Sequence, residues 1–184
     1  LRRLKPLVEG QAGRALNGQS TISVEELFGK PVSIELGHFK EESVRTMFTN
    51  ILLKMLFDYR SSRHTEKLTH VTVVEEARHV VPFRRPEDPP HIAERMVGEL
   101  RKYGEGMIFV CQFPSQISPE ILKNSSTRIV HAIRTDDDRR ILSGALGLTQ
   151  AQADYIRKLE VGKAVVLMPK VPSPFPVKVL MMHD

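Results

Sequence analysis

Apolar positions along the chain change their period several times, and each change marks an element. From Glu41 to Arg60 they fall at Val44, Met47, Phe48, Ile51, Leu52, Met55, Leu56 and Tyr59, the spacing of one stripe on a long amphipathic helix. Pro31 to Leu36, just before it, reads as a strand. Val71 to Val74 is a continuous β-branched run, as expected for a central parallel strand covered on both faces, and it ends in Glu75 and Glu76. Met107 to Cys111 reads as a third strand, leading into Gln112, Phe113 and Pro114, and Thr127 to Ile133 as a fourth. Helical periods separate them, from His91 to about Lys102 with a stop at Gly104, then a short helix around Pro119 to Asn124. Two more helices follow, near Asp137 to Ala145 and Thr149 to Leu159. Lys163 to Met168 and Pro176 to Met182 are joined by the proline-rich Pro169 to Pro174 and are close enough to pair as an edge hairpin. Pro82 to Pro90 holds four prolines and four charged residues, too many breakers for an element, and reads as a surface loop. The alternation predicts an α/β fold with a mostly parallel sheet flanked by helices.

Composition narrows the setting. With 184 residues and 41% hydrophobic content, one domain spanning 1–184 is expected. No apolar run approaches the roughly 20 residues that cross a bilayer, and no apolar stretch follows the charged N-terminus, so the reading is a soluble, cytoplasmic protein without a membrane partner. The single Cys111 has no partner for an internal disulfide and reads as a reduced core residue. A net charge of +5 mildly favours a polyanionic partner. Aromatics at 6% and the absence of Trp argue against a base-stacking platform, so contact with nucleic acid would be to its backbone. The chain begins without Met on a charged segment, as expected of the C-terminal part of a longer protein.

Two carboxylates directly after a buried strand call for a cation or hydrogen bonds, because burying ionised groups is costly. Successive side chains at a strand's end point to opposite sides, so Glu75 and Glu76 cannot flank one bond as a glycosidase pair does. They can divide labour, one holding the water shell of Mg²⁺ and the other orienting the water that attacks a γ-phosphate. The plainer alternative is that both begin a solvated loop. Gln112 ends the next strand, so in a parallel sheet it emerges on the same edge, where ligands of open α/β sheets bind. There a neutral amide can donate to a γ-phosphate; otherwise it is an ordinary loop glutamine. Arg101 and Lys102, in the last turn of the intervening helix, belong at the opposite edge. They either complement the helix dipole, with Gly104 as the left-handed cap, or Arg101 reaches a neighbouring subunit's nucleotide as an arginine finger in trans.

The phosphate-binding loop that such chemistry requires is not evident. Gly13 to Ser20 has its glycine spacing, but Gln19 stands where the Lys is needed, and the segment neither follows an apolar strand nor opens a helix. The seven histidines lack metal-ligand spacing. Asp136 to Asp138 reads as the charged first turn of a helix. Arg134 and Thr135, just past a strand end, could face a nucleotide.

In order and spacing, Lys30 to Leu36, Val73 to His79, Gly98 to Gly104, Met107 to Ser115 and Gly162 to Val166 resemble the HerA/FtsK superfamily of hexameric P-loop ATPases, and most of all its HerA-type DNA translocases. The resemblance covers nearly the whole chain. It implies a RecA-like core, with ATP and Mg²⁺ as cofactors, a hexameric homo-oligomeric ring, DNA as partner and a nuclease working with it. It also implies that Glu75 assists Mg²⁺, Glu76 activates water, Gln112 senses the γ-phosphate and Arg101 acts on the adjacent subunit. Where the family has His directly after Glu-Ala, this chain has Arg78, with His79 one position later. The family's phosphate-binding Lys and Ser/Thr would lie upstream of Leu1, so the core is incomplete and this chain alone is expected to be inactive as an ATPase. Two other functions compete: a non-catalytic assembly or DNA-binding module with a decayed motor fold, and a conjugation or secretion ATPase of the same superfamily.

Overall fold

The structure is a computed structural model that describes residues 22–85 and 87–180, together with Gly13, Gly18 and Gln19. Most of the Gly13 to Ser20 segment therefore lies outside the described residues. The chain divides into two compact units, Leu1–Val81 with Pro89–Val110, and Pro82–Asp88 with Cys111–Asp184.

In the first unit, α1 (Val24–Gly29) starts from a capping box in which Ser23 and Glu26 satisfy each other's backbone donors. Helix α2 (Glu42–Ser61) is free of Gly and Pro and runs for 20 residues. Its buried positions are Val44, Leu53, Leu56 and Arg60. Met47 and Met55 are only partly buried and Ile51 is exposed, so part of the predicted stripe faces outward. Strand β1 (Thr65–Val74) is longer than its β-branched core and pairs in parallel with β2 (Tyr103–Phe109), Val73 opposite Ile108. One crossover connects them, through α3 (Ile92–Glu99) and a 3₁₀ turn at Leu100–Lys102. A single helix returns the chain to its starting edge, which is why the second strand runs parallel to the first.

Two expectations fail in this unit. Pro31 to Leu36 forms no strand, because it finds no ladder partner among the described residues, and Val32 and Ile34 are exposed. Strand β1 is not covered on both faces, for Val71, Val73 and Ile108 share one face of the sheet and are 42%, 56% and 50% exposed.

The expected cap at Gly104 is present. The 3₁₀ turn ends at Tyr103, and Gly104 follows at φ +71°. A Cβ there would stand 2.4 Å from the Lys67 carbonyl oxygen and 2.5 Å from Thr65 Cγ2, beside the register shift between Thr65 and His70. Gly104→Ala should therefore destabilise the protein by about 2–4 kcal/mol, combining left-handed strain with a backbone clash. Gly144→Ala, in a helix interior with open space around it, should instead stabilise it by about 0.5–1 kcal/mol. Denaturant titration of the two variants measures both.

The second unit holds α4 (Pro119–Asn124), β3 (Arg128–Val130), α5 (Asp136–Leu146), α6 (Gln150–Arg157), β4 (Lys163–Leu167) and β5 (Phe175–Lys178). Strands β4 and β5 form the expected antiparallel hairpin. Strand β3 is also antiparallel to β4, so these three strands form a separate, wholly antiparallel sheet, where one mostly parallel sheet was expected. Two helices separate β3 from β4, and a chain that goes down one helix and up the next reaches the following strand in the reverse direction. Val130, Leu142, Leu146, Ile156, Leu159 and Val165 form the core between α5, α6 and the sheet. Arg128 ties the helices to it, its guanidinium donating to the carbonyls of Leu122 and Ala145 at the ends of α4 and α5.

Candidate functional site

Both acids leave β1 at the C-terminal edge of the parallel pair. Glu75 is exposed, and Glu76, half-buried, sits at φ 48°, ψ 51°. A left-handed conformation at a non-glycine residue costs about 1–2 kcal/mol and persists only where the surroundings enforce it. Three contacts do so. The Ala77 amide donates to the Val110 carbonyl at 2.9 Å, the Val110 amide donates to the Val74 carbonyl at 3.0 Å, and the Thr46 hydroxyl on α2 donates to the His79 carbonyl at 3.0 Å. His79 Nδ1 lies 2.8 Å from Glu42 Oε1, which requires the proton on Nδ1 because a carboxylate only accepts. His79 thus fastens the turn after β1 to the start of α2. The residue in the family's His position, Arg78, instead places its Nε 3.2 Å from Glu76 Oε2. Both side chains are more than two-fifths exposed, so the pair opens at little cost.

Arg101 lies in the 3₁₀ turn before β2, at the N-terminal edge of the sheet, and is exposed. The seven residues of β2 separate it from the Glu76 edge by about 20 Å, farther than an arginine side chain extends. No ion pair of Arg101 is found among the described residues, whereas Lys102 pairs with Glu99 and lies over the Tyr103 ring. Gln112 is exposed two residues beyond Val110 in the chain and belongs to the second unit, where it leads into the 3₁₀ turn Pro114–Gln116. Cys111, expected in the core, is only partly buried.

Among the buried charged groups that escape the sequence reading, Glu105 and Asp138 are the most deeply placed. The Glu105 side chain is fully buried at the start of β2, where Arg60 Nε lies at 3.1 Å, His70 Nδ1 at 2.8 Å and the Thr72 hydroxyl at 2.6 Å. The Arg60 Nε–H is not aligned for a hydrogen bond, so this contact is electrostatic, while Nη2 donates to the Phe28 carbonyl. The only sequence signal was an acid between Gly104 and Gly106. In the second unit Asp138 is buried, alone among Asp136, Asp137 and Asp138. It accepts from the Ser115 amide at 2.7 Å and from the Thr135 hydroxyl. Burial pushes its carboxyl up, but the hydrogen bonds from Thr135 and Ser115 outweigh that and hold it below its ordinary value.

No group of three His, Cys, Asp or Glu among the described residues is placed to hold a metal by itself. A lone carboxylate at a strand exit nonetheless fits Mg²⁺, which keeps several waters and takes one or two carboxylates beside substrate phosphates. No helix among the described residues is long and apolar enough to cross a membrane.

No family model matches the chain. It is similar to the DNA double-strand break repair helicase HerA of Saccharolobus solfataricus, 27% identical over 156 residues, covering 82% of this chain and 31% of the relative. The HerA of Sulfurisphaera tokodaii is 26% identical over the same length, covering 82% and 32%, and the probable helicase MJ1565 of Methanocaldococcus jannaschii 29% over 108 residues, covering 58% and 21%. The chain thus spans about a third of the length of these HerA relatives. Among solved structures, the genome packaging NTPase B204 of Sulfolobus turreted icosahedral virus 2, in complex with ATP-gammaS, aligns with a TM-score of 0.64 at 15% identity, covering 89% of this chain and 74% of B204. VirB4 of Thermoanaerobacter pseudethanolicus aligns at 0.57 and 15%, covering 78% and 39%. The fold is that of P-loop ATPases, and with the sequence likeness to HerA it is consistent with a HerA-like member of that superfamily.

Proposed function

We propose that the chain is the C-terminal part of a ring-forming, ATP-driven DNA translocase or helicase, and that it supplies the residues that act on the γ-phosphate. The observation that carries this reading is Glu76, a non-glycine residue held left-handed at the exit of a parallel strand. Strain of that kind concentrates where a side chain must be aimed. In this reading Glu76 orients and deprotonates the attacking water once its contact with Arg78 opens. Glu75 would hold Mg²⁺ through its water shell, and the ion, when bound, supplies charge neutralisation on the β- and γ-phosphates. Gln112 donates to the γ-phosphate and registers its loss. Arg101, about 20 Å away at the other edge, serves the nucleotide of an adjacent subunit in a hexamer. The exposed aliphatic face of Val71, Val73 and Ile108 is suited to cover by a further layer of the same domain. A nuclease would take the DNA that the ring delivers.

The test uses the intact protein. ATP turnover should rise when duplex DNA is added, and DNA affinity should fall steeply with salt, as phosphate contacts require. ATP turnover indifferent to DNA would point to a conjugation or secretion motor. Salt-sensitive DNA binding without turnover would point to an assembly module.

A further inference from the structure

Helix α5 begins with three acids, and the third accepts a backbone amide from another element. Thr135 is the N-cap and makes no side-chain cap hydrogen bond. Asp138, three positions on, is where an acid commonly reaches back to the N-cap amide. Here one carboxylate oxygen accepts the Ser115 amide instead, at 2.7 Å, and the other accepts the Thr135 hydroxyl. Ser115 lies in the 3₁₀ turn directly after Gln112 and Phe113. Asp138 is only 3% exposed, and a charged acceptor there forms a stronger bond than a neutral one.

The rest of that turn is also fastened. The Gln116 amide donates to the Phe113 carbonyl at 3.0 Å, the Phe83 amide donates to the Gln116 carbonyl at 2.8 Å, and Pro82 and Ile117 form an antiparallel bridge. Asp138 is the link that ties the turn after β2 to the start of α5, and through Thr135 to the segment leaving β3. A buried carboxylate that forgoes its own helix cap to hold another element's backbone marks a segment whose position matters.

We propose that Asp138 is a positioning residue for ATP hydrolysis, holding the Gln112–Gln116 segment where the Gln112 amide meets the γ-phosphate. This rests on the ATPase reading of the preceding subsection. In this role Asp138 acts through the Ser115 amide rather than on the reacting atoms. Asp138→Asn keeps an oxygen acceptor for that amide and can donate its NH₂ to the Thr135 oxygen, whereas Asp138→Ala removes both contacts.

The intact protein is compared as wild type, Asp138→Ala and Asp138→Asn. For Asp138→Ala, kcat should fall about tenfold or more, the factor carried by one charge-assisted hydrogen bond, with KM for ATP within about twofold. Asp138→Asn should recover part of the loss, since its neutral oxygen still accepts the amide but binds it less strongly. Amide hydrogen exchange over 112–117 should rise about tenfold in Asp138→Ala, while that of β4 stays as in wild type. Unchanged kcat in Asp138→Ala overturns the proposal, as does unchanged exchange over 112–117. An equal fall in both variants overturns it too, since the acceptor would then not be what matters. Equal loss of protection in 112–117 and β4 would mean general unfolding and would also overturn it. A wild-type protein without ATP turnover sinks the ATPase reading and the positioning role with it. The exchange comparison then still reports on the tether alone, so the two failures are told apart.

Discussion

Glu76→Gln in the intact protein should lower ATP turnover by about a thousandfold, within the range that loss of a general base produces, while nucleotide still binds. Glutamine is nearly isosteric with glutamate and can adopt the same left-handed backbone at similar cost, so the turn after β1 keeps its fastening to Val110 and to Thr46 on α2. What disappears is the negative charge that, in the proposed role, takes a proton from the attacking water. The contact with Arg78 weakens as well, but a pair this exposed contributes little to stability, and thermal unfolding should shift by no more than about a degree or two. Glu75→Gln separates the two acids. If Glu75 serves the metal, its loss should raise the Mg²⁺ concentration needed for half-maximal turnover, and excess Mg²⁺ should recover part of the rate. No such recovery is expected for Glu76→Gln. Measuring turnover against Mg²⁺ for both variants, with nucleotide binding followed separately, decides the assignment. Turnover of Glu76→Gln within a few-fold of wild type would remove the water-activating role.

The parts of the fold that were legible in the sequence are those set by local chemistry. The long helix was marked by its period and its lack of Gly and Pro. The β-branched run gave β1, the Pro119 start gave α4 with both ends in register, and the proline-rich link gave the β4–β5 hairpin. Errors arose where a long-range partner decides. Pro31 to Leu36 has strand composition, but a strand exists only through its neighbours. The direction of β3 follows from the two helices between it and β4, both marked in the sequence, but the pairing of β3 with β4 that turns their number into an antiparallel ladder is a long-range contact. For the site, the strand exit and the opposite placement of Arg101 followed from strand order alone. The left-handed geometry of Glu76 did not, because Glu carries no signal for positive φ. Asp138 was hidden among three adjacent acids, since helical geometry turns each by about 100° and only tertiary packing selects which one is buried. Glu105 was hidden for the related reason that its partners, Arg60, His70 and Thr72, come from two other elements.

Arg101→Ala tests whether the unit of function is the single chain or a pair. The variant alone should lose about a thousandfold in turnover if the guanidinium stabilises charge on the transferring phosphoryl group, with little change in stability, because its side chain is exposed and makes no ion pair among the described residues. The turn it sits in is fixed by Gly104 and β2, not by the guanidinium. Mixing the variant with Glu76→Gln subunits then distinguishes the two arrangements. If Arg101 acts within its own chain, every site in a mixed ring carries one defect and turnover stays near the level of the parents. If it acts on its neighbour, a site formed by the Glu76 of an Arg101→Ala subunit and the Arg101 of a Glu76→Gln subunit is intact. Random mixing at equal amounts restores about a quarter of such sites, so turnover should reach tens of percent of wild type, far above the level of either parent. Arg101→Lys should not rescue the single-variant loss, since an ammonium cannot reproduce the planar, bidentate contact with phosphate oxygens. Absence of recovery in the mixed rings, with exchange of subunits verified by labelling, would leave Arg101 as a cation at a helix end. The acids after β1 would then need their counter-charge from elsewhere.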